Sequence, residues 1–278
     1  MLFVGPAIFL LLAIVIFPLV YTFVASLYNW DLGQMLDFVG FGNYLNQFRD
    51  HNFWLAMLVT LQMTVLSVGL EFVLGLGLAI LVNRELRALQ PVIRTALLIP
   101  LFTAPVVVGS TFRMLLDPQF GVLQFVFHIR GFAPTATDPF ALLTVVAGDV
   151  WQWTPFMFII FLAALQGVPR ETIEAARVDG ANGWQQTRFV LLPQIAYAIV
   201  VALLLRLMDA LKIFDVIVTL TRGGPGRSTE DATFSIYRLG LENFYTGDAA
   251  AFSWILVVIL SILVGILFRQ IHGRFKLV

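Results

Sequence analysis

The 278-residue sequence contains no cysteine and few charged side chains. The absence of cysteine excludes disulfides, thiolate metal sites and cysteine nucleophiles. Lys, Arg, Asp and Glu together make up 12% of the residues, against about 25% in a typical soluble domain. The formal net charge is zero, so no strongly basic field is present to attract nucleic acid.

Apolar residues make up 59% of the sequence. A soluble fold with this composition would have too few polar groups to cover its surface. A helix that spans a membrane needs about 20 apolar residues in succession. The composition therefore predicts an all-α integral membrane protein, which we expect to be a single transmembrane domain over residues 1–278.

Six apolar stretches are long enough to be spans. They cover residues 2–27, 53–82, 92–116, 139–165, 195–220 and 249–268. The first stretch lacks the basic n-region of a secretory signal, so we expect it to be retained as a span. A basic cytoplasmic leader that precedes it in the full protein is a second expectation. Pro100 and Pro105 lie inside the third stretch, where they free backbone carbonyls that neighbouring helices or water must satisfy.

The distribution of Lys and Arg predicts the orientation of these spans. Nine of them lie in the loops after the second and fourth spans and in the C-terminal tail, and six lie in the loops on the opposite side. Because cytoplasmic loops are enriched in Lys and Arg, both termini are predicted to be cytoplasmic.

The loop over residues 166–194 is the most informative polar segment. Residues 171–176 favour a short helix, Gly180 interrupts it, and a second short amphipathic stretch over 184–192 is predicted to end at Pro193. Two short helices meeting at an elbow would form a compact knob that fits a groove on a soluble partner. From composition alone, an ordinary solvated loop is the favoured explanation of this segment.

The order of residues in the loop is more specific than its composition. An acidic residue and two alanines are followed at fixed spacing by a glycine, an aliphatic residue and a Leu-Pro pair, at Glu174, Ala175, Ala176, Gly180, Val190, Leu192 and Pro193. This pattern resembles the EAA loop of permease subunits in binding-protein-dependent ABC importers, with valine at 190 where isoleucine is usual. Three further regions resemble the maltose-transport and glycerol-phosphate-transport type of permease, at residues 99–121, 149–169 and 214–225.

The resemblance implies a prokaryotic inner-membrane assembly. This chain would pair with a second, different permease, two copies of a cytoplasmic ATPase would hold the EAA loops, and an external binding protein would deliver a sugar. ATP and Mg²⁺ would bind to the ATPases, so this chain would need no cofactor or metal and would not be an enzyme. Lipid would surround it. The implied ATPase-coupling residues are Glu174, Ala175, Ala176, Asp179, Gly180 and Pro193.

Polar residues within the predicted spans are candidates for a transport cavity, because charges in a membrane usually face a bundle interior or water. Arg206, Asp209, Lys212 and Asp215 recur every three residues in the fifth span, where they either neutralise one another or line the cavity. The resemblance places sugar-binding positions near Asp209 and Lys212. A second group in the fourth span combines indole surfaces with amide or carboxylate acceptors that suit a sugar, at Asp149, Trp151, Gln152 and Trp153. An interfacial aromatic belt is the alternative for these tryptophans.

The second span carries Glu71, which we expect to pack as a protonated or paired carboxyl rather than to contact substrate. Gly75 and Ala79 have the spacing of a helix-contact motif.

Two other classes of protein compete with an importer subunit. An ion-driven secondary transporter would show internal repeats, and we find none. A membrane enzyme would need a carboxylate or histidine cluster, which the spacing does not favour. The glycine-rich residues 223–229 lack the Gly-Lys-Ser/Thr ending of a phosphate loop.

Overall fold

The computed structural model describes residues 5–32, 34–84, 86, 89–127 and 133–275. Two short strands, β1 (Tyr28–Asp31) and β2 (Gln34–Phe38), pair antiparallel. The helices are α1 (Gly5–Ser26), α2 (Gly42–Arg49), α3 (His51–Arg84), α4 (Gln90–Phe102), α5 (Pro105–Leu115), α6 (Val122–Phe127), α7 (Phe140–Gln166), α8 (Arg170–Val178), α9 (Gly183–Gln194), α10 (Ala196–Ala210), α11 (Asp215–Leu220), α12 (Ala232–Tyr237) and α13 (Thr246–Phe275). The predicted all-α class is confirmed.

Among the described residues, four helices are long and apolar enough to cross a membrane: α1, α3, α7 and α13. Two bent pairs, α4 with α5 and α9 with α10, would raise the count to six if each pair forms one span. The predicted six spans therefore stand at the upper end of what helix length and composition support.

The third predicted span, residues 92–116, is not one straight helix. It is broken at Thr103 and Ala104, and α4 and α5 meet at 94°. Pro105 begins α5, and its ring disfavours a helical conformation at the preceding residue, so Ala104 is extended with ψ at 137°. The freed carbonyl of Thr103 accepts a hydrogen bond of 2.8 Å from Gln152 on α7, as the sequence predicted for a proline-interrupted span.

The fifth predicted span, residues 195–220, is also discontinuous. It consists of α10 and α11, with a non-helical segment over residues 211–214. None of these four residues is glycine or proline, so the break has no local cause in the sequence. After the break, Gly109 of α5 lies directly against Thr219 of α11, at an approach that leaves no room for a Cβ atom.

The chain divides into two compact units, residues 1–60 with 230–263 and residues 61–229 with 264–278. In the first unit, the Asn43 side chain donates 2.9 Å hydrogen bonds to the carbonyls of Ser26 and Tyr28, which fixes α2 to the start of the strand pair. Phe53 and Phe252 pack in its core with their rings tilted by 55° and the ring centroids 4.7 Å apart.

The start of α12 in the first unit is capped by a buried acid. Asp231 accepts a 2.7 Å hydrogen bond from the backbone N–H of Phe234. Burial raises the pKa of Asp231 to about 7, against the opposing effect of the backbone donors.

The core of the second unit lies where α3, α7 and α10 pack together, and it includes Met157, Phe158, Phe161 and Ala202. Gly75 is a point of close approach between α3 and α7. A Cβ atom at this position would lie 2.6 Å from the Met157 Cβ and 3.0 Å from the Phe158 backbone nitrogen. The predicted helix contact at Gly75 is confirmed.

A buried ionic cluster joins the same three helices. The Arg206 Nε donates to Glu71 Oε2 at 2.6 Å, and its Nη2 donates to Glu71 Oε1 at 2.9 Å. The Nη2 also donates to Asp149, and Nη1 donates to Asp209 at 3.2 Å. The side chains of Arg206 and Glu71 are fully buried. The expectation that Glu71 is paired is therefore confirmed. Of the charges in the fifth span, Arg206 pairs with its neighbour Asp209.

Replacing Gly75 by alanine tests the close contact. We expect Gly75→Ala to lower the free energy of unfolding by roughly 1–3 kcal/mol, because the new methyl group meets backbone atoms that cannot move aside. The matched control is Gly77→Ala in the same helix, which has no atom within 4 Å of its added Cβ and should change the melting temperature little. Thermal unfolding in detergent measures both. Equal effects from the two variants would contradict the contact.

Removing the cation tests the ionic cluster. Arg206→Met leaves two buried carboxyl groups without their partner, and we expect it to cost about 3–5 kcal/mol and to lower the yield of monodisperse protein. Adding Glu71→Gln and Asp149→Asn to the same variant removes the unpaired charges, so most of the yield should return. A triple variant as unstable as Arg206→Met would show that packing, and not charge balance, is responsible.

Candidate functional site

The loop over residues 166–194 forms an elbow whose corner is closed by backbone hydrogen bonds. The Ala181 N–H donates to the Ala176 carbonyl at 2.9 Å, and the Gly180 N–H donates to the Arg177 carbonyl at 3.0 Å. This is the Schellman arrangement that ends a helix through a left-handed residue. Gly180 has a φ of +81°, and a Cβ atom added to it would have no atom within 4 Å. Within this chain, glycine is therefore favoured at this position by the backbone conformation and not by lack of space.

The second arm of the elbow starts with a capping box. The Asn182 side chain accepts from the Gln185 N–H at 2.9 Å, and the Gln185 side chain accepts from the Asn182 N–H at 2.7 Å. Pro193 does not end this arm, contrary to the prediction. A π turn over Gln186–Leu191 precedes it, and Pro193 stands in the first turn of the following α-helical segment, where its missing N–H is not needed. The helix ends at Gln194, and α10 departs at 69°.

Arg84, at the end of α3, holds the second arm in place. Its guanidinium donates to the Gly183 carbonyl at 3.0 Å and to the side chains of Gln186 and Thr187 at 3.3 Å. The sequence analysis did not identify Arg84, because the contact joins residues about 100 positions apart and no local pattern marks it.

The elbow exposes an apolar surface together with its acidic residue. No residue of α8 is buried, and Glu174 makes no ion pair with any residue in the described part of the chain. Val178, Trp184 and Phe189 are 87%, 67% and 68% exposed. Large exposed apolar side chains of this kind mark surfaces that contact another protein or a membrane. A polar cleft of about 470 Å³ lies between the arms, lined in part by Arg84, Arg170, Glu174 and Arg177.

A second site lies where α7 faces the end of α10, the non-helical residues 211–214 and the start of α11. It is a pocket of about 110 Å³. Six of the seven predicted cavity residues line it: Asp149, Gln152, Trp153, Asp209, Lys212 and Asp215. This volume is well below the roughly 300 Å³ of the smallest usual ligand pockets, so the chain provides one wall of any larger cavity.

Gln152 connects the pocket to the break between α4 and α5. Its Nε2 donates to the Thr103 carbonyl, whereas its Oε1 is buried and has no hydrogen-bond partner among the described residues. A buried acceptor without a partner carries an unsatisfied desolvation cost, which makes this amide an unusual feature of the wall. Pro105, the first residue of α5, completes this side of the wall.

Trp153 covers the ionic cluster from the pocket side. The Arg206 guanidinium carbon lies 4.9 Å from the centroid of the Trp153 ring, within the range of a cation–π contact. Asp149 belongs to both the cluster and the pocket wall, while Arg206 is only 1% exposed. The sequence predicted each of these residues separately, but it gave no means of joining Glu71 to a partner 135 residues away.

The structure does not bring Trp151 into this pocket. Trp151 is 44% exposed and lines a separate apolar cavity with Leu70 and Leu74. One step along a helix rotates a side chain by about 100°, so adjacent residues such as Trp151 and Gln152 face different neighbours. In the described part of the chain, no group of three or more His, Asp or Glu residues is arranged to hold a metal ion.

The sequence is similar to a family of membrane transport proteins. Residues 71–276 match the family described as binding-protein-dependent transport system inner membrane component. The trehalose/maltose transport system permease protein MalF of Thermococcus litoralis is 33% identical over 98% of this chain and 92% of its own length. The trehalose transport system permease protein SugA of Mycobacterium tuberculosis is 39% identical over 88% of this chain and 78% of its own length.

A solved structure agrees at the level of the whole fold. It is that of a bacterial ABC transporter involved in the import of the acidic polysaccharide alginate, and one of its chains matches with a TM-score of 0.84 and 25% identity, covering 96% of this chain and 93% of that one. The family match extends over most of the sequence and includes both the elbow and the pocket. The chain is therefore a member of the family of inner membrane components of binding-protein-dependent transport systems.

Proposed function

We propose that this chain is a non-catalytic permease subunit of an ABC importer and that its pocket forms part of the path of a sugar. The observation that carries the proposal is the convergence of Asp149, Gln152, Trp153 and Asp209 on one pocket between helices of a transport-family chain. An indole face and several hydrogen-bonding groups match the alternating apolar and hydroxyl surfaces of a sugar ring. Relatives named for trehalose and maltose transport support the same class of cargo.

The assembly follows from the family. The chain would pair with a second permease, which supplies the rest of a cavity that is too small within this chain. An external binding protein would deliver the sugar, in agreement with the family description. Two copies of a cytoplasmic ATPase would bind ATP and Mg²⁺ and would hydrolyse the ATP, so this chain would need neither a cofactor nor a catalytic residue. Membership of this family leaves the secondary-transporter alternative without support.

The elbow would be the contact with an ATPase. We infer that Glu174, Ala175, Ala176, Asp179, Gly180 and Pro193 belong to the coupling surface, because the elbow exposes α8 together with a patch of Val178, Trp184 and Phe189. This role requires the elbow, and with it both termini, to be cytoplasmic. The excess of Lys and Arg on that side supports this orientation of a single transmembrane domain.

The proposed function is tested by purifying the tagged chain with the products of its neighbouring genes. A second permease and an ATPase should co-purify, and trehalose or maltose with the binding protein should stimulate ATP hydrolysis in proteoliposomes. Stable purification of the chain alone, with its neighbours expressed, would contradict the proposal.

Substitution of Gly180 separates backbone conformation from close approach. A β-branched residue at positive φ is strained by about 1–2 kcal/mol, so Gly180→Val should distort the elbow and lower both ATPase co-purification and sugar-stimulated hydrolysis. Gly180→Asn is the matched control, because asparagine tolerates the left-handed conformation, and it should retain most of both activities. Equal loss in the two variants would mean that the partner needs the space beside Gly180.

Trp153 and Trp151 form a matched pair on α7, since only Trp153 lines the pocket. We expect Trp153→Ala to raise the sugar concentration for half-maximal uptake by about tenfold, as loss of one aromatic contact of 1–1.5 kcal/mol predicts. The ATPase should stay bound. Trp151→Ala should leave uptake within twofold of the unsubstituted protein. Unchanged uptake in Trp153→Ala would remove this residue from the sugar path.

A further inference from the structure

The charges that reach the pocket are mainly negative. Asp209, Lys212 and Asp215 all line it, and they carry two negative charges and one positive charge. The side chain of Asp209 is 43% exposed, and Lys212 and Asp215 are exposed. The accessible side chains on this wall therefore have a formal net charge of −1.

The second cation near the pocket is not available to a ligand. Arg206 has a fully buried side chain, and each of its guanidinium nitrogens donates to a carboxylate of Glu71, Asp149 or Asp209. With Glu71 and Asp149, it forms a buried group whose formal charge is also −1. If one of these two carboxyls carries a proton, the buried group is neutral and the wall still presents −1.

The neutral side chains that line the pocket add no positive charge to it. Gln152 is 3% exposed, and its amide nitrogen is already bonded to the Thr103 carbonyl. Trp153 presents an indole ring, which packs against the C–H face of a sugar. An anionic group would find a single ammonium, at Lys212, among several carboxylates.

Resting on the proposed function, we propose that this pocket selects uncharged polyhydroxyl compounds and disfavours phosphorylated or carboxylated ones. Hydroxyl groups can donate to the accessible carboxylates of Asp209 and Asp215, whereas an anion is repelled by the net charge. The fold alone does not impose this choice, since a chain of TM-score 0.84 belongs to an importer of an acidic polysaccharide. The selection against anions therefore belongs to side chains of this sequence.

The lack of cysteine makes the charge of the pocket directly measurable. Phe214→Cys and Ile213→Cys each introduce one thiol into this chain at the pocket wall. Each variant, in the complete assembly with its partner permease and ATPases, is treated with two methanethiosulfonate reagents of similar size and opposite charge. One carries a trimethylammonium group and the other a sulfonate group, and mass spectrometry of this chain gives the two rates.

We expect the ratio of the cationic rate to the anionic rate at the pocket thiol to exceed the ratio for a free small thiol by about fivefold or more. Asp209→Asn with Asp215→Asn should lower this bias at least threefold. Asp37→Asn with Asp138→Asn is the matched control, because it removes two exposed carboxylates that do not line the pocket, and it should leave the bias unchanged.

A ratio equal to or below that of the free thiol would overturn the proposal. Thiols that fail to react at both positions would also overturn it, because the pocket would then admit no solute. Stimulation of ATP hydrolysis by trehalose and by trehalose 6-phosphate is measured in parallel, with the binding protein's affinity for each determined separately. Equal transport of the two would contradict selection against anions.

These measurements distinguish a failure of sugar transport from a failure of the selection against anions. A strong cationic bias without stimulation by any neutral sugar would refute sugar transport and leave the exclusion of anions intact. Stimulation by neutral sugars without the bias would keep the proposed function and refute the charge selection.

Discussion

The second unit of this protein depends on the pairing of a single buried guanidinium with carboxylates from three helices. Arg206 on α10 contacts Glu71 on α3 and Asp149 on α7, where neither water nor exposure can compensate an unpaired charge. Each carboxylate would be costly in such surroundings without the arginine, and the arginine would be costly without them. The cluster therefore fixes the relative positions of the helices that build the pocket. Asp149 belongs both to the cluster and to the pocket wall.

The sequence predicted the elements of this arrangement better than their connections. Long apolar runs located α3 and α7 to within two residues at each end, because each run is bounded by polar residues. The run that predicted α13 was less accurate, since the helix begins three residues before it and ends seven residues after it. Gly75 was recognisable as a helix contact from its spacing to Ala79. The breaks within the third and fifth predicted spans were harder to predict from the sequence. Pro105 explains the bend between α4 and α5, but residues 211–214 contain neither glycine nor proline, so no local pattern marks the loss of helix there.

The two candidate sites also differ in how far the local sequence predicts them. The elbow is encoded locally, since Gly180 supplies the left-handed corner and Asn182 with Gln185 supplies the following cap, all within six residues. A pattern of residues along the sequence could therefore locate it. The pocket is assembled from distant segments of the chain: Gln152 bonds to Thr103, 49 residues away, and Arg206 bonds to Asp149, 57 residues away. The sequence predicted six of the residues that line the pocket. It could not exclude Trp151, because that requires knowledge of which face α7 turns toward the pocket.

One helix carries a contact to each of these regions. Arg84, at the end of α3, is hydrogen-bonded to the second arm of the elbow, and Glu71 on the same helix is hydrogen-bonded to Arg206 beside the pocket. The two residues are 13 positions apart, about 20 Å along a helix that contains no proline. A displacement of the elbow that keeps the Arg84 bonds must therefore carry the end of α3 with it. Since α3 has no proline, it forms one uninterrupted helical connection between the elbow and the ionic cluster.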